Sequence, residues 1–481
     1  MPPTLALVLW AVLLLALLRF DPAKEPGTSV ALWIPLIWLF IMGSRLPSQW
    51  LGTGPRIAAQ ALEEGNPLDR SIFSGLILLA LVVLTLRSFS WGGFISRNLF
   101  LIAFLLFAFA SVFWSDFPFV SLKRWFRDLG NYLIILVVLS DPHPMGAVRT
   151  LFRRLAYLLI PLCIVLDKYF PNLSKQYDGW SGIAMYVGAT TGKNLLGLLA
   201  LLSGLFFIWD TVTRWSARKD RATKRIIQVN LAFIVMSLWL LITANSATCR
   251  VCMLIGCTVV LAVHSAWGKR HRTLIRVLIP ATFCLYLIVA FGLGASGQLA
   301  AAVGKDPTLT DRTKIWSFVL SMHTNPLVGT GYESFWLGPR LEYFWQISGL
   351  GGLNEAHNGY LEVYLNLGII GLLLICAFLL ASYRNISKQF ATHPDLASLN
   401  LALWAIMLFY NVTEAGFRGG LMWLVFLLGG VAVRGRSADQ GHGTLVSKDS
   451  RGGHRLPSPR LGVPLGRSLF SSRPTTIGRI R

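Results

Sequence analysis

The residue best suited to proton transfer in this sequence is a histidine in a polar stretch that leads into a long apolar run. The stretch extends from Gly351 to Tyr360, and His357 follows Glu355 by two residues. Imidazole accepts and donates protons near neutral pH, so a histidine in this position is a candidate general base or acid. A lone histidine at a helix start also serves as a cap or a hydrogen-bonded structural residue, and the sequence leaves that alternative open.

Basic residues at the ends of apolar runs are the second group of candidates. Lys193 opens an apolar run after Thr190-Thr191-Gly192, and a charge that enters a membrane span is a functional candidate. Cationic side chains there attract an anionic group such as a lipid-linked pyrophosphate. Ion pairing with nearby acids, or a lysine side chain that reaches toward water, is the alternative. The other basic candidates are Arg124, Arg127, Arg250, Arg312 and Lys314.

Several other chemistries lack support in the sequence. Cys249 and Cys252 have C-x-x-C spacing, but no second cysteine pair or neighbouring histidine accompanies them, so a zinc or redox site is not indicated. The stretch from Gly179 to Gly182 has the form of an intramembrane serine protease motif, yet it lies in a polar connection without a suitable histidine. Metalloprotease, Walker and dinucleotide-binding patterns are absent. We therefore expect neither a metal nor a cofactor.

The elements that must position these residues are membrane helices. The chain has 481 residues, of which 54% are hydrophobic and only 14% are charged, whereas soluble proteins carry about 25% charged residues. Its apolar residues are gathered into runs that suit a hydrocarbon core about 30 Å thick. The sequence therefore predicts an all-α, polytopic integral membrane protein with about 12–13 transmembrane helices. The predicted spans are 4–19, 29–46, 71–87, 98–114, 128–141, 151–167, 190–209, 226–244, 246–266, 273–294, 358–381, 398–414 and 417–433.

Positive charge in the connections predicts how the helices are oriented. The segment 210–225 holds six basic residues and the segment 269–276 holds four, so both are expected in the cytoplasm. Counting helices from these two segments places 115–127, 168–189 and 295–357 outside and the C-terminus inside. We therefore expect the candidate site on the side of the membrane opposite the cytoplasm.

Two segments outside the spans are long enough to be separate regions. Within the transmembrane domain of residues 1–433, residues 295–357 form one long extracytoplasmic loop, which contains a helix predicted from the cap residue Thr310 to about His323. Residues 434–481 carry ten basic residues against two aspartates and cannot bury a core. We expect a disordered cytoplasmic tail that attracts membrane lipids and does not bind nucleic acid.

In their order and spacing, the motifs resemble the O-antigen ligase and polymerase superfamily, and within it the ExoQ-type exopolysaccharide polymerases. The resemblance covers roughly residues 90–433. The matching stretches are Phe113-Trp114-Ser115-Asp116-Phe117-Pro118 with Lys123-Arg124, Thr191-Gly192-Lys193-Asn194, Ser246-Ala247-Thr248 with Arg250, Thr310-Asp311-Arg312-Thr313-Lys314-Ile315-Trp316, Pro326-Leu327-Val328-Gly329-Thr330-Gly331-Tyr332, and Asn354-Glu355-Ala356-His357-Asn358-Gly359-Tyr360.

The resemblance implies a metal-independent, inverting glycosyltransferase that acts at the periplasmic face on sugars carried by undecaprenyl pyrophosphate. It implies that Arg312 and Lys193 hold the pyrophosphate, with Arg250 as a further contact, and that His357 is the catalytic base. Lys193 stands where many relatives have histidine or arginine, and a lysine lacks the planar paired contacts of arginine. The supporting positions are Glu355, Asn358, Tyr360, Asn194 and Trp316.

Three functions remain open from the sequence. The favoured one is a polymerase that joins lipid-linked repeat units into exopolysaccharide or O-antigen, with chain-length regulators and export proteins as further partners. The second is a ligase that transfers a finished glycan to a lipid A core or another acceptor. The third is a passive transporter of lipid-linked sugars, but the two halves of the chain are dissimilar and the charges cluster at the outer ends of the helices.

Overall fold

The computed structural model describes residues 1–53, 65–177, 182, 184–292 and 312–433. Thr310, most of the Gly179–Gly182 stretch, the first part of the predicted loop and the predicted tail 434–481 lie outside the described residues. The helices are α1 (Pro3–Phe20), α2 (Trp33–Gly43), α3 (Pro47–Trp50), α4 (Pro67–Leu86), α5 (Trp91–Arg97), α6 (Leu99–Ala110), α7 (Pro118–Leu139), α8 (Pro144–Tyr169), α9 (Pro171–Ser174), α10 (Lys193–Arg214), α11 (Arg221–Thr243), α12 (Ala247–His264), α13 (Ala266–Arg270), α14 (Arg272–Leu287), α15 (Arg312–Ser321), α16 (Gly338–Ser348), α17 (Gly359–Gln389), α18 (Pro394–Thr413) and α19 (Leu421–Gly430).

The structure confirms an all-α, polytopic membrane fold. Within the described residues, eight helices are long and apolar enough to cross a membrane, or nine if the pair α5 and α6, bent by 96°, is one span. Strand structure in this part of the chain is confined to a short antiparallel hairpin, in which Lys175–Tyr177 (β1) pairs with Ala184–Tyr186 (β2). Each predicted span overlaps a helix of the described residues. This holds also for spans whose helices are too short or too polar to count among the eight.

Helices α7 and α8 begin well before the spans that the apolar pattern predicts at 128–141 and 151–167. The turns that precede these spans contain basic residues, among them Arg124 and Arg127 in α7 and Arg149 in α8. A search for continuous apolar runs misses these turns because they are helical without being apolar. Helices α2 and α19 are shorter than a full span.

The centre of the helical bundle consists of α10, α18 and α19. Most residues of α10 and α18 are buried, and every residue of α19 is buried, whereas α1 and α14 leave most of their apolar side chains exposed. Apolar side chains that face outward on a membrane helix contact lipid, so α1 and α14 lie at the periphery. The interior helices can therefore hold polar side chains away from lipid.

One end of the bundle carries a buried ionic cluster. Arg153 of α8 donates to Asp210 of α10 at 2.6 Å and to Asn230 of α11 at 2.9 Å, and all three residues are buried. Arg214 also pairs with Asp210, at 3.0 Å. Because an unpaired buried charge is costly, this cluster fixes the relative positions of α8, α10 and α11. The opposite ends of α10 and α18 meet the polar loops described below.

The described part of the predicted loop folds onto the bundle. Helix α15 lies within the predicted range for the first loop helix, although it ends at Ser321 and not at His323. Together with α16 it encloses a small apolar cluster of its own. The members of this cluster are Ile315, Val319, Phe335, Trp336, Leu341, Phe344, Ala356 and Leu365.

Helix α17 is broken at Gly368, which has φ +62° and ψ −166°. The turn at residues 326–331 supplies partners for the backbone groups that the break exposes. Ile369 N–H donates to the Pro326 carbonyl at 2.9 Å, and Gly331 N–H donates to the Asn366 carbonyl at 2.9 Å. Unsatisfied backbone groups are costly within a membrane, so the break and the turn depend on each other.

Substituting Gly368 with alanine should destabilise the protein. The new Cβ atom would lie 2.2 Å from the carbonyl carbon of Leu327, in a backbone conformation that side chains rarely adopt. We expect a loss of about 1–3 kcal/mol, measured as a lower midpoint of thermal unfolding in detergent. Gly75→Ala in α4 is the control, because a Cβ atom there meets no neighbour within 4 Å. Equal midpoints for both variants would show that the break tolerates a side chain.

Candidate active site

The polar loop of residues 354–358, called the His357 loop below, is held by hydrogen bonds on both sides of Ala356. The Ala356 carbonyl accepts from Trp316 Nε1 of α15 at 2.9 Å, and the Ala356 N–H donates to Glu362 of α17. His357 itself has φ +48°, a left-handed conformation that is uncommon for a residue with a side chain. These contacts hold the strained residue in one orientation, which is typical of functional sites.

Glu362 and Trp336 form a buried support beneath the His357 loop. Trp336 Nε1 donates to the two Glu362 carboxylate oxygens at 2.9 and 3.0 Å, and both side chains are buried. Asn358 is the N-cap residue of α17, and its side chain accepts a hydrogen bond from the Leu361 N–H at 3.1 Å. The predicted supporting residues Trp316 and Asn358 therefore contact the loop backbone rather than the space around the imidazole.

Glu414, at the end of α18, connects several candidate residues. Its side chain is only 5% exposed and accepts from Arg312 Nη2 at 2.7 Å. Asn194 Nδ2 donates to both of its oxygens, at 3.0 and 3.1 Å. The Glu414 backbone carbonyl accepts from the Gly359 N–H at 2.9 Å. Glu414 thus joins α10 and α15 through its carboxylate and the start of α17 through its backbone carbonyl.

The imidazole of His357 lies between two carboxylates. Its Nδ1 atom is 2.8 Å from Glu355 Oε1 and 3.6 Å from Glu414 Oε2. Burial opposes the charge, but the two carboxylates raise the pKa of His357 to about 10. Burial likewise favours a neutral Glu355, yet the adjacent imidazolium lowers its pKa to about 2. At neutral pH the site therefore contains an ion pair. Asn194, Arg312, Glu355, His357 and Glu414 are called the Glu414 group below.

Arg124 and Arg127 lie in a different group. Arg418 donates through Nε to Glu333 Oε2 at 3.0 Å and through Nη1 to the Asn354 carbonyl at 3.0 Å. Arg124 donates to the Glu333 carbonyl, and Arg127 pairs with Asp128 at 2.8 Å. Burial opposes ionisation of Glu333, but Arg418 and Arg124 keep its pKa below the ordinary value. We call Arg124, Arg127, Glu333 and Arg418 the Arg418 group.

The two groups meet at the His357 loop, from opposite ends of it. The Arg418 group contacts Asn354, and the Glu414 group includes Glu355 and His357. The basic candidates from the sequence therefore do not form one cluster. Arg312 belongs to the Glu414 group, whereas Arg124 and Arg127 belong to the Arg418 group.

The remaining candidate residues differ in their hydrogen-bond partners and in their exposure. Lys193 is the first residue of α10, adjacent in sequence to Asn194, and forms no hydrogen bond or ion pair with the described residues. Arg250 is exposed at the start of α12 and donates to Asn245 Oδ1 at 2.6 Å. Lys314 is exposed on α15. The Tyr360 hydroxyl donates to the Leu408 carbonyl at 3.2 Å, so Tyr360 joins α17 to α18.

The sequence interpretation omitted two residues that hold this site together. Neither Glu414 nor Arg418 is among the site residues predicted from the sequence. Glu414 follows the apolar run of α18, so an acidic residue at the end of a membrane span was the available signal. Its role could not be inferred because its partners lie 102 and 220 residues away in the chain.

Glu355, His357 and Glu414 have ligand atoms within 4.8 Å of one another, close enough to surround a metal ion. Their charges are already balanced, because Arg312 pairs with Glu414 and the imidazolium pairs with Glu355. A metal ion would have to displace a proton whose pKa is about 10. The donor set therefore fits a charge-balanced proton-transfer site better than a metal centre.

The site can bind an anion and exchange a proton at neighbouring positions. Arg312 pairs with Glu414, and Lys193, which precedes Asn194 in the chain, forms no ion pair with an acid among the described residues. His357 lies on the other side of the Glu414 carboxylate. This arrangement suits a reaction in which an anionic group departs near the cations while a hydroxyl group loses its proton near the imidazole.

Two comparisons with known proteins agree with the resemblance seen in the sequence. Residues 231–376 match the family model described as O-antigen ligase. The chain is also 26% identical, over 316 residues and 60% of its length, to the exopolysaccharide production protein ExoQ of Rhizobium meliloti (strain 1021). The chain spans 66% of that relative's length, slightly less than two thirds. The family match includes Arg250, Arg312 and His357.

The ion pair between His357 and Glu355 should make stability depend on pH. In the folded protein the pKa of His357 is raised from 6.5 to about 10. The stabilisation that results is complete below pH 6.5 and is lost progressively as the pH rises through 10. We expect the unfolding midpoint of the wild type to fall between pH 7 and 10 more steeply than that of His357→Gln. Parallel curves for the two proteins would contradict the raised pKa.

Proposed function

We propose that the protein is a membrane glycosyltransferase of surface polysaccharide biosynthesis, which joins undecaprenyl-pyrophosphate-linked repeat units at the periplasmic face. The observation that carries the proposal is His357, which lies between two carboxylates, one of which also pairs with the partly buried Arg312. The family match and the ExoQ relative support a role in polysaccharide polymerisation or ligation. The positive charge of the connecting segments supports the periplasmic assignment.

Arg312 and Lys193 would bind the pyrophosphate of the donor. The Arg312 side chain is 16% exposed, so it is partly dehydrated but reachable. A guanidinium in such a position forms strong hydrogen bonds with phosphate oxygens. As the donor breaks down, the leaving pyrophosphate gains negative charge, and fixed cations stabilise that charge without reorganisation.

The reaction is a single displacement at the anomeric carbon of the donor sugar. An acceptor hydroxyl oxygen forms the new bond to that carbon, and the bond from the carbon to the pyrophosphate oxygen breaks. The hydroxyl proton passes to His357, and undecaprenyl pyrophosphate leaves with the bonding electron pair. Attack from the face opposite the leaving group inverts the configuration. The energy comes from the donor itself, so the reaction needs no nucleotide or metal.

Glu355 and Glu414 would orient the imidazole and stabilise its protonated form. Carboxylates perform both tasks for the histidine of hydrolytic triads, where they make the base stronger. The same effect leaves His357 protonated at neutral pH, since its pKa is about 10. Only the minor, deprotonated form of the free enzyme can then act as the base, and turnover should depend on pH accordingly.

Polymerisation is the activity we propose and ligation is the alternative, since the relative's name refers to exopolysaccharide production and the family model is described as O-antigen ligase. Purified protein in lipid, supplied with undecaprenyl-pyrophosphate repeat units alone, should form a ladder of glycans with release of undecaprenyl pyrophosphate. The ladder should persist when a chelator such as EDTA is added, and His357→Gln should lower its rate by about 10² to 10⁴. Transfer only after addition of a lipid A core would indicate a ligase, and lipid movement without glycan transfer would indicate a transporter.

The proposed base also predicts a pH profile. Below the pKa of His357, kcat/KM should rise about tenfold per pH unit, since it reports the deprotonated fraction of the free enzyme. The rise should level off near pH 10 in the wild type. In Glu414→Gln it should level off at a lower pH, because a carboxylate that raises the pKa has been removed. A flat profile between pH 7 and 9 would mean that His357 does not act as the base.

A further inference from the structure

The segment of residues 187–192 leads from the β-hairpin into α10, where Lys193 and Asn194 lie. It forms a turn that belongs to no helix or strand, and Thr190 within it is fully buried. Its backbone groups therefore need hydrogen-bond partners from other elements. Those partners decide where α10 begins. We call residues 187–192 the α10 entry segment.

Arg45, which lies between α2 and α3, holds the backbone of this segment. Its Nε atom donates to the Thr190 carbonyl at 3.1 Å. Its Nη2 atom donates to the Gly188 carbonyl at 3.3 Å and to the Leu173 carbonyl. All three acceptors are backbone carbonyls, and no acid among the described residues forms an ion pair with Arg45. A planar guanidinium presents its donors in fixed directions, which a lysine ammonium does not do.

Further contacts restrain the α10 entry segment. Asp167 of α8 accepts from the Gly188 N–H at 3.0 Å, and Gln176 Nε2 of β1 donates to the Thr191 carbonyl at 3.1 Å. Gly188 has φ +54°, and a Cβ atom there would lie 2.8 Å from Cys163 Cβ. The segment is therefore fixed against α8 and the hairpin, while the guanidinium connects it to the end of α2.

The α10 entry segment is joined to the candidate active site through the first turn of α10. Thr190 Oγ1 donates to the Gly192 carbonyl at 3.0 Å, directly before Lys193. The next residue, Asn194, donates to Glu414. The Lys193 side chain forms no hydrogen bond or ion pair with the described residues, so its location depends on its backbone. A shift of the buried Thr190 backbone would therefore displace Lys193, because a close-packed interior transmits strain.

We infer that Arg45 is a positioning residue for the donor site, which sets the location of Lys193 through the α10 entry segment. This inference rests on the proposed function, in which Lys193 binds the donor pyrophosphate. Placement matters because a misplacement of about 1 Å, caused by a residue away from the reacting atoms, can cost about 10²-fold in rate. A purely structural role for Arg45 would instead alter stability and leave donor binding unchanged.

The affinity of the purified protein for undecaprenyl pyrophosphate, measured in detergent, tests the inference without requiring turnover. Arg45→Lys keeps the positive charge but loses the fixed geometry of the three hydrogen bonds, so it should raise Kd about tenfold. Arg45→Gln should have the same effect. A Kd that stays at the wild-type value in Arg45→Lys but rises in Arg45→Gln would show that Arg45 acts through its charge and would overturn the inference.

Arg218→Lys is the matched control. Like Arg45, Arg218 donates to a backbone carbonyl and lies over a tryptophan ring, but it follows the other end of α10. Its Kd should equal that of the wild type.

Lys193→Gln separates an effect through Lys193 from a direct effect of Arg45. Alone it should raise Kd about tenfold, and Arg45→Lys/Lys193→Gln should raise it no further, because the displaced cation is already absent. A rise of about a hundredfold in the double variant would mean independent effects and would overturn the inference. If Lys193→Gln raises Kd and Arg45→Lys does not, the inference fails while the proposed donor site stands. If neither Lys193→Gln nor Arg312→Ala changes Kd, the proposed donor site fails and the inference with it.

The midpoint of thermal unfolding, measured on the same variants, detects a purely structural role. A lower midpoint with an unchanged Kd in Arg45→Lys would overturn the inference. If the Arg45 variants do not fold, Gln176→Leu removes a single bond to the same segment from an exposed side chain. It should raise Kd about threefold in the wild type and leave it unchanged in Lys193→Gln. An equal rise in both backgrounds, or no rise in the wild type, would overturn the inference.

Discussion

The candidate site depends on the burial of one carboxylate. Glu414 is 5% exposed, and a charge withdrawn from water to that extent is tolerated only with ionic and hydrogen-bonding partners. Arg312 and Asn194 supply these partners from α15 and α10. The backbone of the same residue binds Gly359, where a side chain would collide with Asn411. The requirements of Glu414 thus bring Arg312 of α15 and Asn194 of α10 to the same carboxylate and place the start of α17 beside the end of α18.

A second constraint acts on the other side of the site, where α17 breaks within a membrane span. The turn at residues 326–331 binds the freed backbone groups, and Asn366 adds a hydrogen bond from the Phe335 N–H at 3.0 Å. This positions Trp336, whose indole supports Glu362 and through it the Ala356 backbone. His357 is therefore held from two directions, by backbone contacts below and by carboxylates beside it. Its left-handed conformation follows from this double restraint.

The arrangement of charge follows from the same contacts. In the Glu414 group the two carboxylates are balanced by Arg312 and the His357 imidazolium. In the Arg418 group Glu333 pairs with Arg418, and Asp128 pairs with Arg127. The His357 loop separates the two groups.

The sequence by itself determined the class of fold and the residue types of the site. Apolar runs long enough for a bilayer predicted helices at the correct places, and His357, Arg312 and Lys193 were recognised from their neighbours in the chain. Only the tertiary structure decided which basic residues share a site, because Arg312 and Arg124 contact acids far away in sequence, at Glu414 and Glu333. Glu414 itself acquires its role only through burial. Hydrophobic patterning depends on nearby residues, whereas charge pairing in a membrane protein depends on which helices pack together.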